Sequence, residues 1–175
     1  MFKNIETERL ILRKLKEGDE YSLFHQYCTD ERVTKYLSWE PHQNIEVTRS
    51  LLNNWIKEYD NEKTYRWGIT IKGNDDVVGM IDVVSYSKDG QPVIGYCLAY
   101  EHWNKGYMSE AFKAVIEFLY DEGFSSIRIA AANDNIGSNR VIIKNGFTLF
   151  KQEEQIIKPN QPKLLINIYK KDKAQ

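Results

Sequence analysis

The chain has 175 residues, with 24 Lys and Arg against 25 Asp and Glu for a net charge of −1, and 42% of its residues are hydrophobic. That apolar content is enough for one packed core and excludes a disordered chain, which would be apolar-poor and charged in one sign. Balanced charge excludes a general nucleic-acid binder, because no overall positive field exists to displace counterions.

The N-terminal MFKNIETERLILRKL is charged throughout, with no secretory leader pattern. No run approaches the ~18–20 apolar residues of a membrane span. Cys28 and Cys97 are too few for a disulfide framework and read as two buried free thiols of a cytoplasmic protein. His25, His42 and His102 are scattered, so no metal site is expected. No repeat or long polar linker divides the chain. A single domain over 1–175 is expected, frayed over 170–175.

In chain order, Arg9–Leu15 alternates loosely and predicts the first strand. Asp19 stands where a helix N-cap would, before a stripe of Leu23, Phe24, Tyr27 and Cys28. After a loop containing Pro41, Asn44 can cap a second helix with the stripe Val47, Leu51, Trp55 and Tyr59. Three strands follow, over Tyr65–Ile71, Asp76–Tyr86 and Val93–Ala99, the last two joined by a turn centred on Asp89-Gly90. They form an antiparallel meander. Met108, Ala111, Phe112, Val115, Phe118 and Leu119 then recur at helical spacing from about Gly106 to Glu122, with Gly123 at the C′ position. SIRIAAA predicts a fifth strand, Gly137 to Asn145 a short helix, and Phe150–Ile157 with Leu164–Tyr169 a final strand pair. A meander followed by helix–strand–helix–strand is an α+β layout with one mixed sheet.

The chemistry concentrates between Val93 and Phe147. The strand VIGYCLA runs through YEHWNKGYM directly into a helix. The first amides of a helix lack intrahelical partners and sit at the positive end of its dipole, which suits a phosphate or diphosphate. Gly106 allows close backbone approach, and Lys105 adds charge. The turn is neither a Walker loop nor a Rossmann fingerprint, whose other glycines are missing.

GYCLAYEHWNKGYMSEA, the later NDNIGSNRVIIKNGF and the opening TERLILRKLKEGD together resemble the GNAT acetyltransferase superfamily, and within it the RimJ/RimL type that acetylates ribosomal-protein N-termini. The likeness runs from about Ile5 to Tyr169. It implies a mixed, splayed central sheet with helices on both faces, and acetyl-CoA in a V-shaped gap between the fourth and fifth strands. The family's diphosphate loop, Q/R-x-x-G-x-G/A, falls on Trp103, Asn104, Lys105, Gly106, Tyr107 and Met108. Trp in the first position is common in the RimJ/RimL branch. Met108 departs from Gly/Ala, and must turn into the helix packing or crowd the diphosphate. The resemblance places pantetheine contacts on backbone groups near Leu98 and Tyr100 and on Asn135, which as an Asn also suits a helix cap.

In the RimJ/RimL string N-x-x-S-N, here NIGSN, the serine is Ser138 and is implied as a hydrogen-bond donor to the departing CoA sulfur. The tyrosine acid of other branches is replaced by Ile142. Asp82, a carboxylate among strand valines, and Glu40, in the WEPH loop, are the candidate bases, with His42 behind them. Glu110 reads as a structural partner of the helix dipole. Trp39, Trp67 and Tyr96 are candidate walls of an acceptor channel, or core aromatics.

The leading expectation is an acetyl-CoA-dependent N-acetyltransferase in which a primary amine, a protein or peptide N-terminal α-amine by resemblance, attacks the thioester directly. The alternatives are a polyamine or aminoglycoside acceptor lined by Glu40, Glu46 and Asp82, a non-catalytic acyl-CoA-binding module, and a structural domain with a packing glycine. A monomer or homodimer is expected.

Overall fold

The computed structural model describes residues 2–174. Among the described residues, eight strands make one sheet: β1 (Ile5–Glu6), β2 (Leu10–Arg13), β3 (Arg66–Ile71), β4 (Val77–Tyr86), β5 (Pro92–Leu98), β6 (Ser126–Ala132), β7 (Thr148–Gln155) and β8 (Leu164–Asp172). Their spatial order is β1-β2-β3-β4-β5-β6-β8-β7. The β3–β4–β5 meander is antiparallel, as its turn chemistry requires. The single parallel pair is β5–β6, and it is brief: Val93 meets Arg128 and Ile94 meets Ile129, and beyond them the strands part. The splayed mixed sheet expected from the sequence is therefore present.

Alternate residues of the central strands enter two cores. Ile81, Ile94 and Leu98 join Met108, Phe112, Val115 and Ile142, so α4 (Tyr107–Asp121) and α5 (Ile136–Lys144) cover one face. Met80, Cys97 and Ala99 pack with Leu23, Tyr27, Val33 and Leu52, so α1 (Glu20–Leu23), α2 (Glu31–Thr34) and α3 (Ile45–Glu58) cover the other. The short α2 and the two-residue β1 have no signal in the sequence pattern.

Four local expectations are corrected. Asp19 occupies the cap position but makes no side-chain cap. Its carboxylate is taken by the buried Arg13 through two bonds of 2.9 Å, so a charge pair from a neighbouring strand outcompetes the local cap. The expected first helix changes pitch after Leu23 and continues as a π-helical turn over Phe24–Cys28. In α3, Asn44 caps as expected, yet the inward residues are Thr48 and Leu52, while Val47 is exposed. Trp55 and Tyr59 of the expected stripe do pack against the second core, but its first half shifts by one position, where the Thr48 hydroxyl meets buried His42 Nδ1 at 2.7 Å. The tail does not fray at Lys170: β8 runs to Asp172, which pairs with Ser126.

Candidate active site

Gly106 stands at the N-terminus of α4 with φ +79°, and Asn104 just before it has φ +58°. Both angles lie in the left-handed region, which Gly adopts freely and Asn tolerates best among the other residues. A Cβ on Gly106 would meet only the Arg9 side chain, at 3.3 Å, so backbone conformation rather than crowding requires the glycine. No side chain caps α4. The intrahelical ladder starts with Glu110 N–H donating to Gly106 O at 3.0 Å, which leaves the amides of Tyr107, Met108 and Ser109 for an anion. Met108 is buried within the core, so its side chain turns away from the diphosphate position and does not crowd it.

A latch that sequence reasoning missed fixes this loop. Glu110 does not simply face the helix dipole. Its carboxylate accepts from Thr7 Oγ1 at 2.6 Å, from Arg9 N at 2.8 Å and from Arg9 Nε at 2.7 Å. Arg9 Nη1 then donates to Lys105 O at 2.8 Å, and its guanidinium lies 4.4 Å from the centroid of the Tyr107 ring. The T-E-R of the opening segment thus turns the Lys105 carbonyl toward Arg9. The signal is the TER string itself, but its partner stands about a hundred positions away.

The gap between β5 and β6 opens at Gly95, the first β5 residue past the last pair. Ala99 N–H donates to Val78 O of β4 at 2.8 Å, so by strand alternation the backbone groups of Leu98 and Tyr96 face the gap. The Leu98 carbonyl accepts from Trp103 Nε1 at 2.7 Å, leaving its N–H as the free group there. Trp103 thereby ties the end of β5 to the diphosphate loop. Tyr100 begins a short 3-10 turn, Tyr100–His102, and carries Arg32 at 3.7 Å over its exposed ring.

Across the gap, Asn135 caps α5 by accepting from Ser138 N at 3.3 Å, so the capping role is present. Asn139, the second Asn of NIGSN, is buried. Its amide donates to Ala132 O at 2.9 Å and Asn135 O at 2.7 Å, and its Oδ1 accepts from Asn167 and Tyr169. That satisfied network locks the first turn of α5 onto β6 and β8. Ser138 Oγ lies 2.9 Å from Tyr96 Oη. Burial pushes the Tyr96 phenol well above its ordinary range, so it stays protonated.

These features, an uncapped helix start after a strained turn beside a parted parallel strand pair, coincide with what known proteins share with this chain. Residues 9–148 match the family model described as an acetyltransferase (GNAT) domain. The chain belongs to the GNAT acetyltransferase family. It is 33% identical over 149 residues to the uncharacterized N-acetyltransferase YoaA of Bacillus subtilis, covering 84% of each chain. Its fold superimposes on a GNAT-family acetyltransferase from Bacillus anthracis with TM-score 0.83 and 26% identity, over 97% of this chain and 98% of that one. It also superimposes on RimL, a ribosomal L7/L12 alpha-N-protein acetyltransferase in complex with coenzyme A, with TM-score 0.86 and 22% identity over 97% and 98%. This GNAT enzyme is an N-acetyltransferase with acetyl-CoA as co-substrate. The uncapped α4 amides and the free Leu98 N–H fit the diphosphate and pantetheine of that molecule.

Of the acid–base candidates, Asp82 is buried and stands opposite Gly95 in the β4–β5 register. Its Oδ2 accepts from Arg66 Nε at 3.2 Å. Burial outweighs Arg66 and raises the carboxyl to about 6. A Cβ on Gly95 would lie 2.7 Å from Val84 Cγ1 and 3.9 Å from Asp82 Oδ1, so the glycine makes room for both side chains where the gap begins. Glu40 stands apart, with its side chain 65% exposed and tied to Lys158 Nζ at 3.3 Å. His42 is bound to Thr48 and packs against Trp39, and burial lowers its pKa. Trp67 is fully buried, with Nε1 donating to Lys3 O at 2.8 Å, so it is core and walls no channel. Trp39 belongs to the second core, and of the three aromatics only Tyr96 reaches the gap. Both thiols are free, and burial raises both, Cys97 to about 12. Neither is a thiolate nucleophile near neutral pH. Among the described residues, no group of three or more His, Cys, Asp or Glu could hold a metal ion, and no helix is long and apolar enough to cross a membrane.

Proposed function

We propose that the chain is a cytoplasmic acetyltransferase of RimJ/RimL type, moving the acetyl group from acetyl-CoA to the α-amine of a protein or peptide N-terminus by direct attack. The observation that carries this reading is Asp82: a single buried carboxyl near pKa 6 at the mouth of the gap. An α-amine of pKa ~7.7–8.0 costs only about 1 kcal/mol to deprotonate at pH 7, against about 4.6 kcal/mol for a lysine-like amine near 10.4. A base of this strength suits the first. Of the three carboxylates an oligocationic acceptor would need, Asp82 alone is buried, while Glu40 and Glu46 are exposed and paired with Lys158 and Arg49. RimL, whose fold is shared, is described as an alpha-N-protein acetyltransferase.

In this mechanism Asp82 accepts the amine proton as nitrogen bonds to the thioester carbon. The Leu98 N–H, facing the gap, stabilises the oxyanion. Collapse of the tetrahedral intermediate forms the amide, breaks the C–S bond and leaves a thiolate. Ser138 Oγ–H bonds to that sulfur as it departs, and a proton from solvent completes CoA. Tyr96, kept protonated by burial, lies 2.9 Å from Ser138 Oγ and 3.3 Å from Ser138 O; with the phenol as donor to Oγ, the serine proton is left free to point into the gap. Asn135 and the Asn139 network hold that serine in place.

The test is release of free thiol from acetyl-CoA in the presence of N-terminal peptides, polyamines and aminoglycosides. The reading predicts turnover with peptides, and its loss when the peptide N-terminus is acetylated beforehand. Turnover with polyamines or aminoglycosides alone would replace it.

A further inference from the structure

Beside the diphosphate loop lies a cleft of about 450 Å³ between the start of α4 and the end of α5, lined by Lys105, Ser109, Lys113, Lys144 and Asn145. Arg9 and Glu110, at its margin, neutralise each other. None of the three lysines has an ion pair with a carboxylate among the described residues. Asn145 Nδ2 donates to Ser109 Oγ at 3.2 Å, joining the two walls, and Lys171 Nζ donates to Asn145 O at 2.7 Å, adding a fourth cation behind them. In a chain of net charge −1, this is a concentrated, uncompensated positive field.

We propose that this cleft is a phosphate-monoester subsite that receives the 3′-phosphate of the CoA ribose and makes the chain select CoA over dephospho-CoA. The inference rests on the reading that the α4 amides grip the diphosphate. Once the diphosphate is held there, the 3′-phosphate is only one ribose ring away. A phosphate monoester carries about −1.5 to −2 charges at neutral pH, more than a carboxylate or one diester-like phosphate oxygen, and needs several cations. Lysines serve as point charges for such a group, and the Ser109 hydroxyl still has its own proton to donate. The α4 amides, by contrast, are consumed by the diphosphate.

Isothermal titration of CoA and of dephospho-CoA into the full chain at low salt tests this. The wild type should bind CoA about tenfold tighter than dephospho-CoA, roughly what a few partly screened charge contacts supply. Lys113→Ala with Lys144→Ala should erase that ratio by weakening CoA alone. Raising the salt should shrink it as well. Lys88→Ala, which removes one equal charge in the β4–β5 turn, should change neither affinity. Equal wild-type affinities, or equal weakening of both ligands by the lysine substitutions, would overturn the proposal. Failure of the wild type to bind either ligand would instead overturn the reading of the diphosphate loop.

Discussion

The cofactor end and the acceptor face of the site are put together in different ways. The proposed cofactor end is nearly continuous in sequence: Trp103 to Ser109 supplies the strained turn, the tie to Leu98 and the free amides. The proposed reacting end draws single side chains from distant segments and from both faces of the sheet, Asp82 of β4 beside Gly95 on the α1–α3 face and Tyr96 of β5 with Ser138 of α5 on the other. Main-chain groups dominate the first, as suits the proposed recognition of a ligand common to many enzymes. Side chains dominate the second, and a buried carboxyl there holds a protonation equilibrium that main-chain groups cannot. The comparison teaches that one end can be kept while the other is retuned for a different amine.

The largest expected effect breaks the acceptor face alone. Asp82→Asn should lower kcat/KM about 10²–10³-fold, the usual scale of a lost general base, while leaving the Kd of CoA unchanged. In the wild type, kcat/KM should rise with pH through an acidic limb near 6, and this limb should vanish in the variant. Stability should move the other way. The folded pKa is raised above 3.8 to about 6, so the contribution of this group to stability is greatest below pH 4 and is lost as pH rises through 6. At pH 8 the variant should therefore be no less stable than the wild type, and more stable by up to about 3 kcal/mol, as chemical denaturation would show. A destabilised variant with an unchanged pH profile would mean that Asp82 is only structural.

A smaller effect falls where the two ends meet. Ser138→Ala should reduce kcat about tenfold to a hundredfold with little change in KM for acetyl-CoA. Tyr96→Phe should lower kcat less, and the double variant should be no worse than Ser138→Ala, because Tyr96 acts through the serine. Independent, multiplying losses in steady-state rates would separate the two residues and refute the arrangement.

The smallest effect belongs to the cofactor end. Glu110→Gln weakens the hold of Arg9 on the loop without touching the ligand. KM for acetyl-CoA should rise about two- to fivefold at constant kcat, on the scale of a partly exposed ion pair. An effect on kcat instead would place Glu110 in the chemistry.

The same contrast explains which features are legible in the sequence. SIRIAAA and the α4 stripe declare themselves because strand and helix periodicities are local. The Gly106 turn and the inward Met108 are legible for the same reason. The features that escape a sequence reading are decided at a distance. Asp19 has the chemistry of a cap, but Arg13 claims its carboxylate. Thr48 turns inward to meet His42 and shifts the first half of the α3 stripe, while Trp55 and Tyr59 keep theirs. Lys170 to Asp172 have the composition of a polar tail, yet their partners are β6 residues more than forty positions earlier. In the site, Glu110 is recognisable as a first-turn acid but not as the anchor of Thr7 and Arg9, and Asn139 not as the residue that locks Ser138. Asp82 stands out as a carboxylate among valines, but its burial and its place opposite Gly95 depend on the strand register.

The most direct measurement is a crystal structure with CoA bound. The account predicts the diphosphate within about 3 Å of the amides of Tyr107, Met108 and Ser109, with pantetheine along Leu98 and the sulfur beside Ser138. A coenzyme seated elsewhere, with the Gly106 turn and the β5–β6 gap both empty, would contradict it.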